Sequence, residues 1–218
     1  YALKSLGVEW VLSVSAVGSL REELPPLDLV IPDQVIDRTK HRVDTFFGEG
    51  VVAHVAFAEP FCPHLSGITA DAARQLVGVR THRGGTYICI EGPQFSTRAE
   101  SRIYRSWGVD VIGMTNLQEA KLCREAEICY ATLALVTDYD VWHETEQDVS
   151  VEAVVAILKQ NAETAKAIIK ATVSSFPTDR EGCSCGSAMR DAVITAHDAI
   201  PTDVRERLRP IIGKYVKQ

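Results

Sequence analysis

No apolar run in the sequence approaches the ~20 residues of a membrane span, and no positively charged start leads into an apolar stretch, so neither a transmembrane helix nor a signal peptide is read. An excess of positive charge is also missing. The net charge of -6, with a pI near 5.5, argues against nucleic acid or an anionic membrane as partner. Six cysteines in 218 residues are too few for a disulfide scaffold. Cys89 and Cys129 lie in apolar runs and read as buried thiols. Cys183-Ser-Cys185 could bind metal, act as a redox couple or close a small disulfide. No second Cys/His pair with zinc-like spacing accompanies it, so no metal is expected and a local structural or interface role is preferred. There is no internal repeat and no low-complexity segment.

What is present is ordinary for a globular protein: 46% hydrophobic and 24% charged residues, enough to bury a core without staples. The length fits one large domain or two small ones. Tyr1 to Gly7 reads as the tail of a helix, with no initiator Met and no strand before it, as in a chain whose front part is missing. Trp10 to Ser15 reads as a strand running into a small-residue turn, Ser15 to Ser19, whose N–H groups could hold an anion. Asp28 to Ile36 is a strand with Pro32 at an edge or bulge, and Val51 to Phe57 another, with His54 in its middle. Ser66 to Val77 has helical spacing. Thr86 to Ile90 and Val109 to Gly113 are strands. Thr97-x-x-Glu100 is a capping box opening a helix to about Trp107, and Thr115 reads as the N-cap of the next, its free N–H groups suited to an anion. Ser150 caps a long helix to about Ser174, Ser175 to Gly186 is a linker, and helices are expected over Met189–His197 and Val204–Tyr215. Strands alternating with helices make the chain α/β.

The stretch that draws attention is Ile128 to Asp140, an almost wholly apolar strand ending in two acids. An unbroken apolar run suits a strand covered on both faces. Asp138 and Asp140 are two apart, so in extended chain their side chains point the same way. Ligands in open α/β sheets bind beyond the carboxyl ends of strands, which makes the pair a site candidate. The plainer reading is that one Asp caps a turn and the other is solvated.

Several motifs then combine: Ser15-Ala-Val-Gly-Ser-Leu-Arg-Glu-Glu, Ala58-Glu-Pro-Phe-Cys-Pro, Glu91-Gly-Pro-Gln-Phe-Ser-Thr-Arg-Ala-Glu-Ser, Val111-Ile-Gly-Met-Thr with Glu119-Ala, and Val136-Thr-Asp-Tyr-Asp-Val-Trp. Together they resemble the trimeric purine nucleoside phosphorylase family, in its branch acting on 5′-methylthioadenosine, over nearly the whole chain. The resemblance implies one domain over 1–218, with a central mixed β-sheet curled toward a barrel and flanked by helices. It implies a cytoplasmic homotrimer (also nuclear in a eukaryote) serving purine and methionine salvage, and no cofactor beyond inorganic phosphate as co-substrate. The reaction would release adenine and 5-methylthioribose 1-phosphate.

The same resemblance assigns roles. Asp138 would protonate or hydrogen-bond N7 of the departing purine, since a neighbouring carboxylate and water exclusion let one acid hold a proton. Asp140 would accept from the N6 amine, a contact a 6-oxopurine cannot offer. Phe95 would pack on the base and Met114 lie beside the ribose. Ser15, the Ala16 N–H and Thr115 would hold phosphate. His54 would reach a neighbouring subunit's site near the methylthio group, in a pocket lined by Val151 and Val154. Relatives from hot environments can pair cysteines such as Cys183 and Cys185. The family's Gly-rich phosphate loop and Arg-His pair would precede Tyr1, and a chain without them is expected to show weak phosphorolysis. Three alternatives stay open: a phosphorylase of broader 6-aminopurine specificity, a nucleosidase using water, and a non-catalytic nucleoside-binding protein.

Overall fold

Alternation along the final strand accounts for the layering of the whole molecule. In the computed structural model, which describes residues 1–76, 78–143, 151–177, 179–180 and 182–216 (151–154 without their side chains), this strand is Cys129–Tyr139, β7, buried from Cys129 to Thr137. Its odd positions Leu133 and Leu135 pack on Ala70 and Ala73 of a helix at Pro63–Arg74 (α2) and on Ala165 and Ile168 of a helix at Val151–Ser174 (α5). Its even positions Ala134 and Val136 face the opposite way, into a second apolar cluster. The side-chain period of two thus buries both faces, and even Thr132, a polar position inside the run, is fully buried. Leu133 is fully buried. Leu133→Ala is expected to cost about 2–5 kcal/mol, read as a lowered urea midpoint with unchanged slope.

The remaining strands are Trp10–Ser19 (β1), Leu29–Ile31 (β2), Gln34–Arg38 (β3), Thr81–Arg83 (β4), Thr86–Ile90 (β5) and Val111–Gly113 (β6). They form one mixed sheet in the order β3-β5-β6-β1-β7-β2-β4. β1 runs parallel to β7, β3 to β5, β5 to β6 and β2 to β4, while β1–β6 and β2–β7 are antiparallel. One cluster joins Val17, Val30, Val35, Tyr87, Val111 and Val136, from β1, β2, β3, β5, β6 and β7. A flat sheet could not bring side chains from its two ends together, so the sheet is curled into a half-barrel around this core. The other helices are Ala2–Ser5 (α1), Arg98–Ser106 (α3), Leu117–Glu125 (α4), Thr202–Arg207 (α6) and Arg209–Ile212 (α7).

Several sequence expectations are corrected here. β1 does not end in a turn at Ser15. It continues to Ser19 through a bulge, where pairing jumps from Val17–Val136 to Gly18–Asp138. Pro32 separates β2 from β3, which lie far apart in the sheet, because it has no N–H to give a ladder. Residues 51–57 form no strand, only isolated bridges Gly48–Val51 and Ala53–Val193. The bridge to Val193 also explains why Met189–His197 is not a helix. The Ala192 carbonyl accepts from His54 N–H and the Glu127 carboxylate from Met189 N–H, so the backbone is committed elsewhere. The helix expected over Val204–Tyr215 breaks at Leu208 into α6 and α7, with Pro210 in the first turn of the second. Thr115 is not a cap; Asn116 occupies that position with φ of 83°. The Thr97–Glu100 capping box forms as read. Ser150 lies outside the described residues.

Candidate active site

The bulge at Thr137 of β7, the residue skipped between the Val17–Val136 and Gly18–Asp138 pairs, is what sets the acid pair against β1. Gly18 sits opposite Asp138, and a Cβ added to Gly18 would lie 3.1 Å from Asp138 Oδ1 and 3.6 Å from Asp140 Cβ. Both acids therefore converge over a backbone position that only glycine leaves open. Asp140 donates its backbone N–H to the Ser19 carbonyl at 2.9 Å, which holds the strand end against β1. Trp142 Nε1 donates to the same carbonyl at 2.8 Å, and the Arg105 guanidinium lies 3.3 Å above the Trp142 ring. The end of β7 is thus pinned from both sides.

Ser96 is the partner that sequence reasoning missed. Its buried hydroxyl lies 3.0 and 2.8 Å from the two Asp140 carboxylate oxygens, to which it donates. This fixes the rotation of the carboxylate and ties the loop before α3 to the acid pair. Phe95, the residue before it, is 81% exposed, so its ring is free to meet a planar ligand. A Ser-Thr step ahead of a helix was read only for its cap; nothing local showed that Ser96 would face Asp140. Ser96→Ala is expected to reduce kcat/KM for a substrate held by Asp140 about tenfold, the size of one hydrogen bond to a charged group, with an unchanged melting midpoint as the check on folding.

A second group lies further back along β1. Ser15 Oγ is 3.0 Å from Thr115 Oγ1 and 3.1 Å from the Tyr87 hydroxyl, so the two hydroxyl residues read from sequence are brought together. Tyr87 is fully buried in the half-barrel core, and that burial pushes its phenol above the ordinary range, keeping it an O–H donor. Thr115 N–H points to the same phenol oxygen at 3.4 Å. Ala16 is exposed beside them, and among the described residues β1 pairs on that side only at Gly18 and Ser19. The converging Ser15 and Thr115 hydroxyls beside an exposed strand position form a cradle suited to an anion. Three steps of strand run from Ser15 to Gly18, so the hydroxyl end and the acid end stand roughly 10 Å apart.

Arg42 ties the loop after β5 to the end of β6. Its guanidinium donates to the carbonyls of Met114 (2.7 Å), Glu91 (2.6 Å) and Ile90 (3.3 Å), and to Gln118 Oε1 (3.1 Å). Met114 is thereby fixed with its side chain lying on the backbone of Gly92, where a Cβ would come within 2.5 Å of its sulfur. Sequence gave no reason to single out Arg42, because the loop that carries it has no pattern of its own. His54 is exposed and lines a separate depression with Ala56, Arg190 and Asp191, away from the acid pair within this chain. The side chains of Val151 and Val154 lie outside the described residues.

A family model described as "Phosphorylase superfamily" matches residues 1–174. The chain belongs to the phosphorylase superfamily. Among curated relatives of this superfamily chain, the S-methyl-5′-thioadenosine phosphorylase of Geobacter sulfurreducens is 60% identical over 219 residues, covering 99% of this chain and 75% of its own length. That of Koribacter versatilis is 57% identical over 215 residues, covering 99% and 73%. Among solved structures, a methylthioadenosine phosphorylase from an antarctic soil metagenomic library matches with a TM-score of 0.92 at 50% identity, covering 97% of this chain and 74% of that one. The Schistosoma mansoni methylthioadenosine phosphorylase in complex with adenine matches with a TM-score of 0.77 at 34% identity, covering 83% and 70%. The mixed, curled sheet is therefore that of the superfamily.

Proposed function

We propose that this phosphorylase cleaves 5′-methylthioadenosine with inorganic phosphate, giving adenine and 5-methylthioribose 1-phosphate, a salvage reaction of the pentosyltransferase class. The observation that carries the reading is the convergence of Asp138 and Asp140 over Gly18, with Ser96 holding Asp140, at the end of the central strand. The names borne by the relatives support the same substrate.

In the reaction a phosphate oxygen bonds to C1′ as the C1′–N9 bond breaks, and the bonding pair passes into the purine ring. Asp138 as its acid places a proton on N7, so the purine leaves neutral. Asp140, fixed by Ser96, accepts from the N6 amine. Phe95 packs on the base, and Met114 lies beside the ribose. Ser15, Thr115 and the Ala16 N–H bind phosphate, with Tyr87 positioning the two hydroxyls from behind. Val151 and Val154 line the methylthio pocket. An apolar pocket distinguishes a methylthio group from a hydroxyl by only about 1–3 kcal/mol, so adenosine is a slower substrate rather than an excluded one. The active unit is a homotrimer of single-domain chains in which His54 reaches the neighbouring subunit's site, no cofactor beyond phosphate takes part, and the enzyme works in the cytoplasm. None of the helices is long and apolar enough to cross a membrane, among the described residues.

The test is adenine release from 5′-methylthioadenosine with and without phosphate. Release that saturates with phosphate and stops without it is expected. Release at the same rate in phosphate-free buffer would make the enzyme a nucleosidase, and saturable adenine binding without turnover would make it a binding protein.

A further inference from the structure

The sequence spacing of Cys183-Ser-Cys185 offers no second pair, yet folding supplies one. Cys62 is the N-cap of α2 and Cys129 the first residue of β7, and both meet the Cys183–Cys185 turn. The four sulfurs all lie within 4.8 Å of one another, with Cys183 Sγ 3.6 Å from Cys62 Sγ and 3.5 Å from Cys129 Sγ. A tetrahedral thiolate centre with metal–sulfur bonds of about 2.3 Å has sulfurs about 3.8 Å apart, so the cluster already has nearly the required size. All six cysteines are unbonded thiols.

The surroundings point the same way. Binding a divalent cation releases four thiol protons and leaves a centre of charge −2, which a buried site must balance. Two guanidiniums stand at the sulfurs. Arg124 Nη1 donates to Cys185 Sγ at 3.8 Å, and the Arg180 guanidinium lies within electrostatic reach of Cys129 and Cys183. Both are fixed from outside the cluster, Arg124 by the Glu59 carbonyl and Arg180 by the Glu127 carbonyl at 2.7 Å and Glu9 at 3.0 Å. The Leu65 N–H donates to Cys62 Sγ at 3.4 Å from the first turn of α2, a contact that favours a thiolate. Trp10, Leu12, Phe176, Leu65 and Ala131 close the site with apolar contacts, and half-exposed Cys183 leaves a way in.

We propose that Cys62, Cys129, Cys183 and Cys185 form a structural tetrathiolate site for a divalent metal, zinc by its ligand chemistry, that fastens the start of β7, the N-terminus of α2 and the segment after α5 to one another. Soft thiolates in tetrahedral array select zinc over the oxygen-seeking divalent ions. The site has no open coordination position, so it takes no part in the chemistry at Asp138.

The experiment is elemental analysis of the full chain purified under reducing conditions without chelators, followed by exchange with cobalt. One zinc per chain is expected, with the visible ligand-field bands and thiolate charge-transfer absorption of tetrahedral CoS4 after exchange. Cys183→Ser should lose the metal and Cys89→Ser, whose thiol lies in β5, should keep it. Stripping the metal should lower the melting midpoint. Wild-type protein that neither contains nor retains added zinc against a weak chelator overturns the proposal. So does a Cys62–Cys129 or Cys183–Cys185 disulfide found by mass spectrometry in the reduced preparation, or zinc retained equally by Cys183→Ser. The cobalt spectrum of the wild type decides the matter even if a variant does not fold.

Discussion

Asp138→Asn is expected to lower kcat for 5′-methylthioadenosine by about 10²–10⁴-fold, the range associated with loss of a positioned general acid. An amide has no proton that it can give up to N7, so the purine must leave carrying more of its negative charge. It still donates a hydrogen bond, so binding of the base should change far less than turnover, and KM should move little. The side chain keeps its size over Gly18, where the carboxylate oxygen already lies 3.1 Å from the Cβ position, so the fold should tolerate the change. Because the Asn side chain also offers a donor to O6, the variant should gain activity on 6-oxopurine nucleosides while losing it on adenine ones. The check is kcat and KM on both substrate classes alongside a thermal melt. Unchanged turnover of 5′-methylthioadenosine in folded variant protein would remove Asp138 from the role given to it.

Gly113→Ala is expected to have the second largest effect, through structure rather than chemistry. A Cβ at Gly113 would lie 1.9 Å from the Tyr87 hydroxyl oxygen and 2.7 Å from its Cζ, and 3.3 Å from Val17 Cγ1. Tyr87 is fully buried, so its ring cannot swing into solvent and either it or β6 must shift. Overpacking of this kind costs about 1–3 kcal/mol. The Tyr87 hydroxyl also touches Ser15 and is approached by Thr115, so a displaced ring should raise KM for phosphate as well as lower stability. Tyr87→Phe removes the oxygen that clashes. In the double variant it should therefore recover part of the lost stability, giving a coupling that two independent changes would not show. Equal, additive losses would mean that Gly113 and Tyr87 do not share the space described.

The central strand was legible because its information is local. An apolar run of period two, buried on both faces, and two acids at its end can be read without knowing any other segment. The capping box at Thr97 is local in the same sense. What was not legible depends on which segments meet. The bulge at Thr137 shows only where β7 meets Val17 and Gly18, so Ser15 to Ser19 reads as a turn. Ser96, Tyr87 and Arg42 are ordinary residues whose importance comes from facing Asp140, Ser15 and Met114 across the fold. Met189–His197 carries helical residues, but its backbone is taken by the 51–54 segment and by Glu127. The four cysteines stand at 62, 129, 183 and 185, spacings that match no metal motif, and only the packing of α2 and the 183–185 turn against β7 brings them together.

The most direct test of the account follows phosphorus rather than adenine. With 5′-methylthioadenosine and inorganic phosphate, phosphorus-31 resonance should show a sugar 1-phosphate appearing in step with adenine, one for one, and its appearance should slow sharply in Asp138→Asn. Adenine released together with free 5-methylthioribose, while the inorganic phosphate signal stays constant, would contradict it.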